Sequence, residues 1–302
     1  MNIISIANQK GGCGKTTTAI NLSACLAMKQ YNTLVVDLDP QSHCTMGLNA
    51  SREQAKMDLR RALGAQEDEA VDISQLIVPV HENLKMIPSL VSLVALEQEL
   101  SGSANREGRL KDLLLQAEDA FDFVLIDSPP NLGILTINAL VASTEVMIPV
   151  DSSIFSVRSL RRLLQVIEVV KKQANINPQV HILPTMLDTR TRMARTILDI
   201  LEERYSDHLL KTIIRQSIHL KEAAGYGLPI TKCLKRSLGY LDYHALTEEV
   251  LGRAESYEVI AEPEQEEISP PEAASDSEEM FLNVIKPPPP PTCLLYTSDA
   301  AD

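Results

Sequence analysis

Two rhythms of apolar and polar residues alternate along this chain. Compact apolar runs predict strands over 2–8, 33–38, 83–87, 121–126, 145–150, 179–184 and 211–214. Between them, apolar residues recur every three or four positions and predict helices over 15–30, 90–100, 106–117, 132–142, 153–173, 191–204 and 238–253. Runs such as Phe123-Val124-Leu125-Ile126 are apolar at every position. That suits strands buried on both faces of a parallel sheet. Strand and helix in alternation imply right-handed βαβ units. The expected fold is α/β, a doubly wound, mostly parallel sheet with helices on both faces. Residues 50–80 break the rhythm and read as short helices and loops inserted after the second strand.

From about residue 255 the texture changes to Glu, Pro, Ser and Ala, then a proline run at 287–291. Such a segment cannot bury a core and is expected to be disordered. The chain therefore divides into a domain over 1–254 and an acidic, proline-rich tail over 255–302. The last residues, 293–302, resemble translated read-through of a sequencing adaptor and are set aside from functional reasoning; an ordinary disordered tail is the alternative.

This division changes the meaning of the net charge of −13. The tail holds 12 acidic residues and one lysine, which leaves the domain near neutral at −2. Charge must be judged by patch. No apolar run reaches the roughly 18 residues of a membrane span, and the N-terminus enters a strand without a signal-peptide pattern. Cys13, Cys25, Cys44, Cys233 and Cys293 are scattered, with no C-x-x-C spacing. A reducing cytoplasm is expected, with neither a disulfide framework nor a cysteine-built metal site.

The densest chemistry follows the first strand, at Gln9-Lys10-Gly11-Gly12-Cys13-Gly14-Lys15-Thr16-Thr17. Strand, glycine-rich loop, Gly-Lys-Thr and helix form the setting in which backbone N–H groups converge on nucleotide phosphates. Glycines at 11, 12 and 14 keep side chains out of the way. Lys15 would neutralise the β- and γ-phosphates, and the Thr16 hydroxyl would ligate Mg²⁺. The strict G-x-x-x-x-G-K-[ST] pattern fails, because Gln9 stands where it wants glycine. In exchange the loop carries a second lysine, Lys10. That lysine leaves the loop where strand gives way to turn. A phosphate cluster from a facing subunit would satisfy it; a solvated surface lysine is the alternative. Cys13 reads as a small filler.

Three acids end apolar strands. Asp37 and Asp39, in Val36-Asp37-Leu38-Asp39-Pro40-Gln41, share one strand face about 6.5–7 Å apart. One can hold the metal's water shell while the other orients or deprotonates the attacking water. Asp127 ends Phe123-Val124-Leu125-Ile126, the Walker B arrangement, where a carboxylate meets Mg²⁺ directly or through water. His43 and Cys44 look like a metal pair, but no further ligands converge, so they read as loop.

Together these motifs resemble the ParA/MinD group of deviant-Walker P-loop ATPases, nearest to its ParA (Soj) branch of chromosome- and plasmid-partitioning ATPases. The resemblance covers about residues 1–254. It extends to Leu183-Pro-Thr-Met-Leu-Asp188 with Thr191-Arg192, and to Ser217-Ile-His-Leu-Lys-Glu-Ala223 with Gly227-Leu-Pro-Ile230. It implies ATP and Mg²⁺ as cofactors, a sandwich homodimer formed on ATP, and a prokaryotic, cytoplasmic, nucleoid-associated protein. By position, Lys10 is the signature lysine that reaches the partner's nucleotide. Gly11 to Thr17 bind phosphate, with Lys15 and Thr16 on phosphate and metal. Asp39 activates water, and Asp37 and Asp127 support the metal. Met186, Asp188 and Arg215 would lie near the adenine.

The resemblance also implies non-specific DNA binding and a ParB-like centromere-binding partner. Residues 210–240 hold Lys211, Arg215, Lys221, Lys232, Lys235 and Arg236 against one acid, Glu222. Such a surplus suits phosphate contacts that weaken with salt; a solvated basic face is the alternative, as it is for Arg158, Arg161 and Arg162. His219 stands where many relatives carry arginine, and a neutral imidazole is a poorer phosphate contact. Two other readings share the chemistry. One is a positioning ATPase for another cargo, such as a chemotaxis cluster or a microcompartment. The other is a MinD-like membrane-cycling ATPase. The latter needs a basic amphipathic C-terminal helix, whereas 238–253 carries Asp242, Glu248 and Glu249, so no membrane is expected. A nitrogenase-type iron protein is excluded, since no cysteine lies between Cys44 and Cys233.

Overall fold

A computed structural model describes residues 1–65, 69–103, 105–233 and 236–260. Its strands are β1 (Asn2–Ile6), β2 (Thr33–Asp37), β3 (Val78–His81), β4 (Leu84–Ile87), β5 (Phe123–Asp127), β6 (Glu145–Val150), β7 (Gln179–Leu187) and β8 (Ile214–Arg215). Its helices are α1 (Lys15–Met28), α2 (His43–Gly47), α3 (Leu59–Gly64), α4 (Leu96–Glu99), α5 (Arg109–Leu115), α6 (Ile134–Ala142), α7 (Ile154–Ala174), α8 (Arg192–Tyr205), α9 (Ile218–Gly225), α10 (Ile230–Cys233) and α11 (Leu238–Ile260). The strands form one sheet in the order β3-β4-β2-β5-β1-β6-β7-β8. Every pairing is parallel except β3 with β4. This is the doubly wound α/β sheet that the alternating rhythm predicts.

Both faces of the sheet are covered, which explains the uninterrupted apolar strands. In β2, Val35 packs among Ile20, Leu22 and Leu26 of α1, while Leu34 and Val36 face the other way, toward α3, α5 and α6. β6 and β7 bury Val146, Ile148 and Ile182 against α7 and α8. Residues on opposite sides of the pleat are therefore all apolar.

Five differences from the sequence expectation stand out. Residues 50–80 contain the expected short helices, but they end in the edge strand β3, a hairpin partner of β4 turned at Asn83 (φ 56°). Pro79 is tolerated there because an edge strand needs few N–H donors. The helix expected over 90–100 is a 3-10 segment, Val91–Ala95, followed by the single turn of α4. The strand expected over 211–214 shrinks to β8, whose pairing with β7 is interrupted at Met186 (φ 54°). The periodicity also passes over α9 and α10. At the C-terminal end α11 runs to Ile260 rather than 253. The tail residues 261–302 lie outside the described residues.

The register places the chemistry. Ile6, Asp37 and Asp127 stand level on adjacent strands, with Asp37 directly opposite Asp127. The carboxyl ends of β1, β2, β5 and β6 thus open onto one crevice, the usual ligand position in a sheet wound both ways from its centre.

Candidate nucleotide site

The loop between β1 and α1 is built for an anion. Gly12 (φ 73°) and Gly14 (φ 96°) are left-handed, a conformation that favours glycine. At Gly14 it is this backbone conformation, not crowding, that calls for glycine, since a side chain would meet Thr185 of β7 only at ordinary contact distance. The Thr185 hydroxyl donates to the Cys13 carbonyl at 2.7 Å, and the Asn8 amide donates to the Pro149 carbonyl at 2.7 Å. The loop is thereby tied to β6 and β7 on one flank. Cys13 is fully buried, and its thiol meets the Lys10 carbonyl at 3.2 Å. Burial pushes that thiol up, so it fills space rather than reacts.

The two lysines part company. Lys15 Nζ folds back over the loop and donates to the Lys10 carbonyl at 3.1 Å. The Lys10 ammonium instead leaves the loop and pairs with Asp151 at the end of β6. Asp151 is absent from the sequence expectation. Its other oxygen accepts the Ser153 N–H (2.9 Å) and the Ser156 hydroxyl (2.7 Å) at the start of α7.

The acids divide in the same way. Asp37 is fully committed: Oδ2 accepts from Thr45 N (2.9 Å) and Thr45 Oγ1 (2.7 Å), and Oδ1 accepts from Asp39 N (3.1 Å). Burial still pushes it up to about 6, with the hydrogen bonds opposing and Asp39 adding to the rise. Asp39 accepts the Gln41 N–H at 2.9 Å through Oδ1 and faces the cleft beside Gly11 to Thr17. Asp127 is wholly buried, and among the described residues neither oxygen meets a hydrogen-bond partner at full geometry. Burial lifts it well above the usual carboxylate range. Asp37 adds to that, and the Thr16 hydroxyl and Lys15 work against it. A buried carboxylate short of partners beside a threonine hydroxyl fits a hard cation or its water. Among the described residues no three His, Cys, Asp or Glu side chains form a self-sufficient metal cluster. Mg²⁺ takes few protein ligands and fills its sphere with phosphates and water.

Two adjoining clefts complete the site. The phosphate cleft, about 800 Å³, is lined by the loop, Asp39, Pro130 and His43, which starts helix α2 where a loop is expected. The second, about 530 Å³, lies between Thr185-Met186 of β7 and Arg215-Gln216-Ser217, with Tyr243 behind. Met186 lines both, in a left-handed conformation that a methionine rarely adopts. Asp188, expected near the base, lines neither cleft. Arg190 pins its carboxylate and holds it down at about 2.

The basic candidates scatter. Arg215 is paired with buried Asp242, which draws its charge inward. Exposed His219 meets Glu222 at 3.1 Å. Lys221 borders the second cleft, whereas Lys232 borders a different cavity with His81 and Gln30. Arg236 is exposed, and Lys235 lies outside the described residues.

A doubly wound sheet with this loop and these strand-end acids defines a P-loop nucleoside-triphosphatase. A family model described as an AAA domain matches residues 1–182. The sporulation initiation inhibitor protein Soj of Bacillus subtilis is 39% identical over 249 residues, covering 82% of this chain and 97% of the relative. The chromosome-partitioning ATPase Soj of Treponema pallidum is 38% identical over 249 residues, covering 82% and 95%. Among solved structures, cobyrinic acid a,c-diamide synthase from Mycobacterium smegmatis with bound ATP analog and magnesium superposes with a TM-score of 0.73 at 29% identity, covering 85% of this chain and 97% of that one. The chain belongs to the ParA/MinD family, as a partitioning ATPase of the Soj/ParA type.

Proposed function

We propose that this ATPase uses ATP and Mg²⁺ to form a homodimer, that the dimer binds DNA without sequence preference, and that a ParB-like partner stimulates hydrolysis and release. The observation that carries this reading is the parting of the two lysines. Lys15 alone furnishes the cation of its own phosphate loop. Lys10 is held outside that loop by Asp151, free of any duty toward its own nucleotide. A facing subunit's phosphates give it one. Residues 1–254 form the ATPase domain in this reading, and 255–302 an acidic appendage.

Gly11 to Thr17 receive the phosphates through their amides, with Lys15 on the β- and γ-oxygens. Thr16 and Asp127 would hold Mg²⁺, which would supply charge stabilisation of the transferring phosphoryl group. Asp39 faces the same cleft and orients the attacking water, while Asp37 fixes the turn that carries Asp39. Met186 and Arg215 border the base. Lys221 and Arg236, with Lys232, Lys235 and His219, are the candidate DNA contacts.

An ATPase assay with DNA, with the protein encoded beside this one, and with both tests the reading. Synergy of the two supports partitioning. Stimulation by anionic vesicles instead would favour membrane cycling. Among the described residues no helix is long and apolar enough to cross a membrane.

A further inference from the structure

Helix α11 meets the edge of the sheet with two acids. Asp242 and Glu249 stand seven residues apart, two turns along one helix face. Between and beside them Tyr243, Leu246 and Val250 are buried in the core. Glu249 accepts the backbone N–H groups of Lys211 (2.8 Å) and Thr212 (2.9 Å). Asp242 accepts the backbone N–H of Arg215 (2.8 Å) and also its guanidinium, with Nε at 3.0 Å from Oδ1. The segment held this way needs holding. β8 is only two residues long, it is the last strand of its sheet, and its register with β7 slips at Met186. Such a strand has little ladder of its own to fix it.

The same segment continues directly into Gln216 and Ser217, which line the second cleft opposite Met186. Tyr243, the neighbour of Asp242, lines that cleft as well and reaches the Thr18 hydroxyl at 3.1 Å on the first turn of α1. The phosphate end of the site draws on different parts, save for that one bond to α1. The loop amides, Lys15, Thr16 and Asp127 are carried by β1, α1 and β5. The Asp242 side chain is only 6% exposed, whereas that of Arg215 is 40% exposed; the carboxylate is withdrawn from water and its bonds to the strand are charge-assisted.

We propose that Asp242, seconded by Glu249, is a positioning residue for the nucleotide base: it fixes Arg215 so that the Arg215–Ser217 wall keeps the shape against which a base packs. The proposal rests on the nucleotide reading above. It also assigns the Arg215 charge to the inside of the chain rather than to a DNA phosphate.

The test compares two ligands on the full chain, MgATP and Mg-tripolyphosphate, which has the phosphates but no base. Asp242→Asn should weaken ATP about tenfold and leave tripolyphosphate within about twofold. Glu249→Gln should weaken ATP about threefold with the same selectivity. Equal losses for both ligands would mark a purely structural role and overturn the proposal, as would no loss of ATP in either variant. A wild-type chain that holds ATP but not tripolyphosphate would also overturn it, since the two ends of the site would then not be independent. If wild type binds neither, the nucleotide reading itself fails, and that result is distinct from the others. Circular dichroism checks folding. Should Asp242→Asn not fold, Glu249→Gln and Arg215→Lys carry the same comparison.

Discussion

The Lys10 ammonium rests on the Asp151 carboxylate, 141 residues further along the chain. Asp151 is prepared for it by the first turn of α7, where Ser153 and Ser156 occupy one carboxylate oxygen and leave the other to the lysine. The contact joins the ends of two adjacent strands, β1 and β6, so it lies within one protomer. Any role for Lys10 in a facing subunit must begin by breaking it.

Asp151→Asn should therefore ease dimerisation. The amide oxygen can still accept from Ser153 and Ser156, but the ionic hold on Lys10 is gone. The ATP-dependent dimer should form at a roughly three- to tenfold lower protein concentration, read by sedimentation velocity with MgATP. An unchanged or higher midpoint would mean that Asp151 does not compete with the partner's phosphates.

Lys10→Ala should lose both ATP-dependent dimerisation and hydrolysis while remaining folded. The pair is partly exposed, with side-chain accessibilities of 25% and 13%, and Asp151 keeps two other donors. The stability cost should stay near 1 kcal/mol, as read by urea denaturation. Wild-type turnover in this variant would end the sandwich model.

How far the site was legible in the sequence depended on whether its signals were local. A strand buried on both faces is apolar throughout, so an acid at its end stands out, and Asp37 and Asp127 are found that way. Asp151 carries the same signature after Ile148-Pro149-Val150. Nothing nearby, however, tells which lysine a strand-end acid will meet across the sheet. Asp242 and Glu249 are harder still. On a helix they read as solvated charge, and only the fold brings them to the open amides of Lys211, Thr212 and Arg215. The edge strand β3 is masked by Pro79, and β8 is too short to leave a rhythm. The basic stretch over 210–240 reads as one patch because it is contiguous in sequence, yet its residues sit on separate elements.

Asp39→Ala should still dimerise on ATP but turn over at least about a hundredfold more slowly, the usual loss when a general base is removed. Asp39 faces the phosphate cleft and its remaining bond is to Gln41 N, so the loss should fall on kcat rather than on ATP binding. Steady-state kinetics with a dimerisation assay separates the two. Rapid hydrolysis would move the base elsewhere.

Asp127→Asn should change how metal-free stability depends on pH. Burial raises the Asp127 pKa well above its ordinary 3.8. Between the two values the unfolded chain has released a proton that the folded chain still holds, so stability from this group falls as pH rises. Asparagine has no such dependence. The stability of the variant relative to wild type should therefore grow from pH 4 upward, by at most about 1.4 kcal/mol per pH unit. Urea titrations at several pH values in a chelator would read it. A gap that is flat or shrinks with pH would contradict a buried, partner-poor carboxylate.

DNA binding by the ATP-loaded protein should respond unequally to the basic residues. Lys221 and Arg236 are exposed, so Lys221→Gln and Arg236→Gln should each lower affinity across all sequences and reduce the salt slope by about 1. Arg215→Gln should shift the slope less, because Asp242 already neutralises that guanidinium. His219→Gln should shift the slope less than Lys221→Gln, because the His219 ring is engaged by Glu222 at 3.1 Å. Fluorescence anisotropy on two unrelated duplexes between 50 and 200 mM salt would check all four positions. An Arg215 variant as damaging as the Lys221 variant would show that the arginine exchanges its internal carboxylate for a phosphate when DNA arrives.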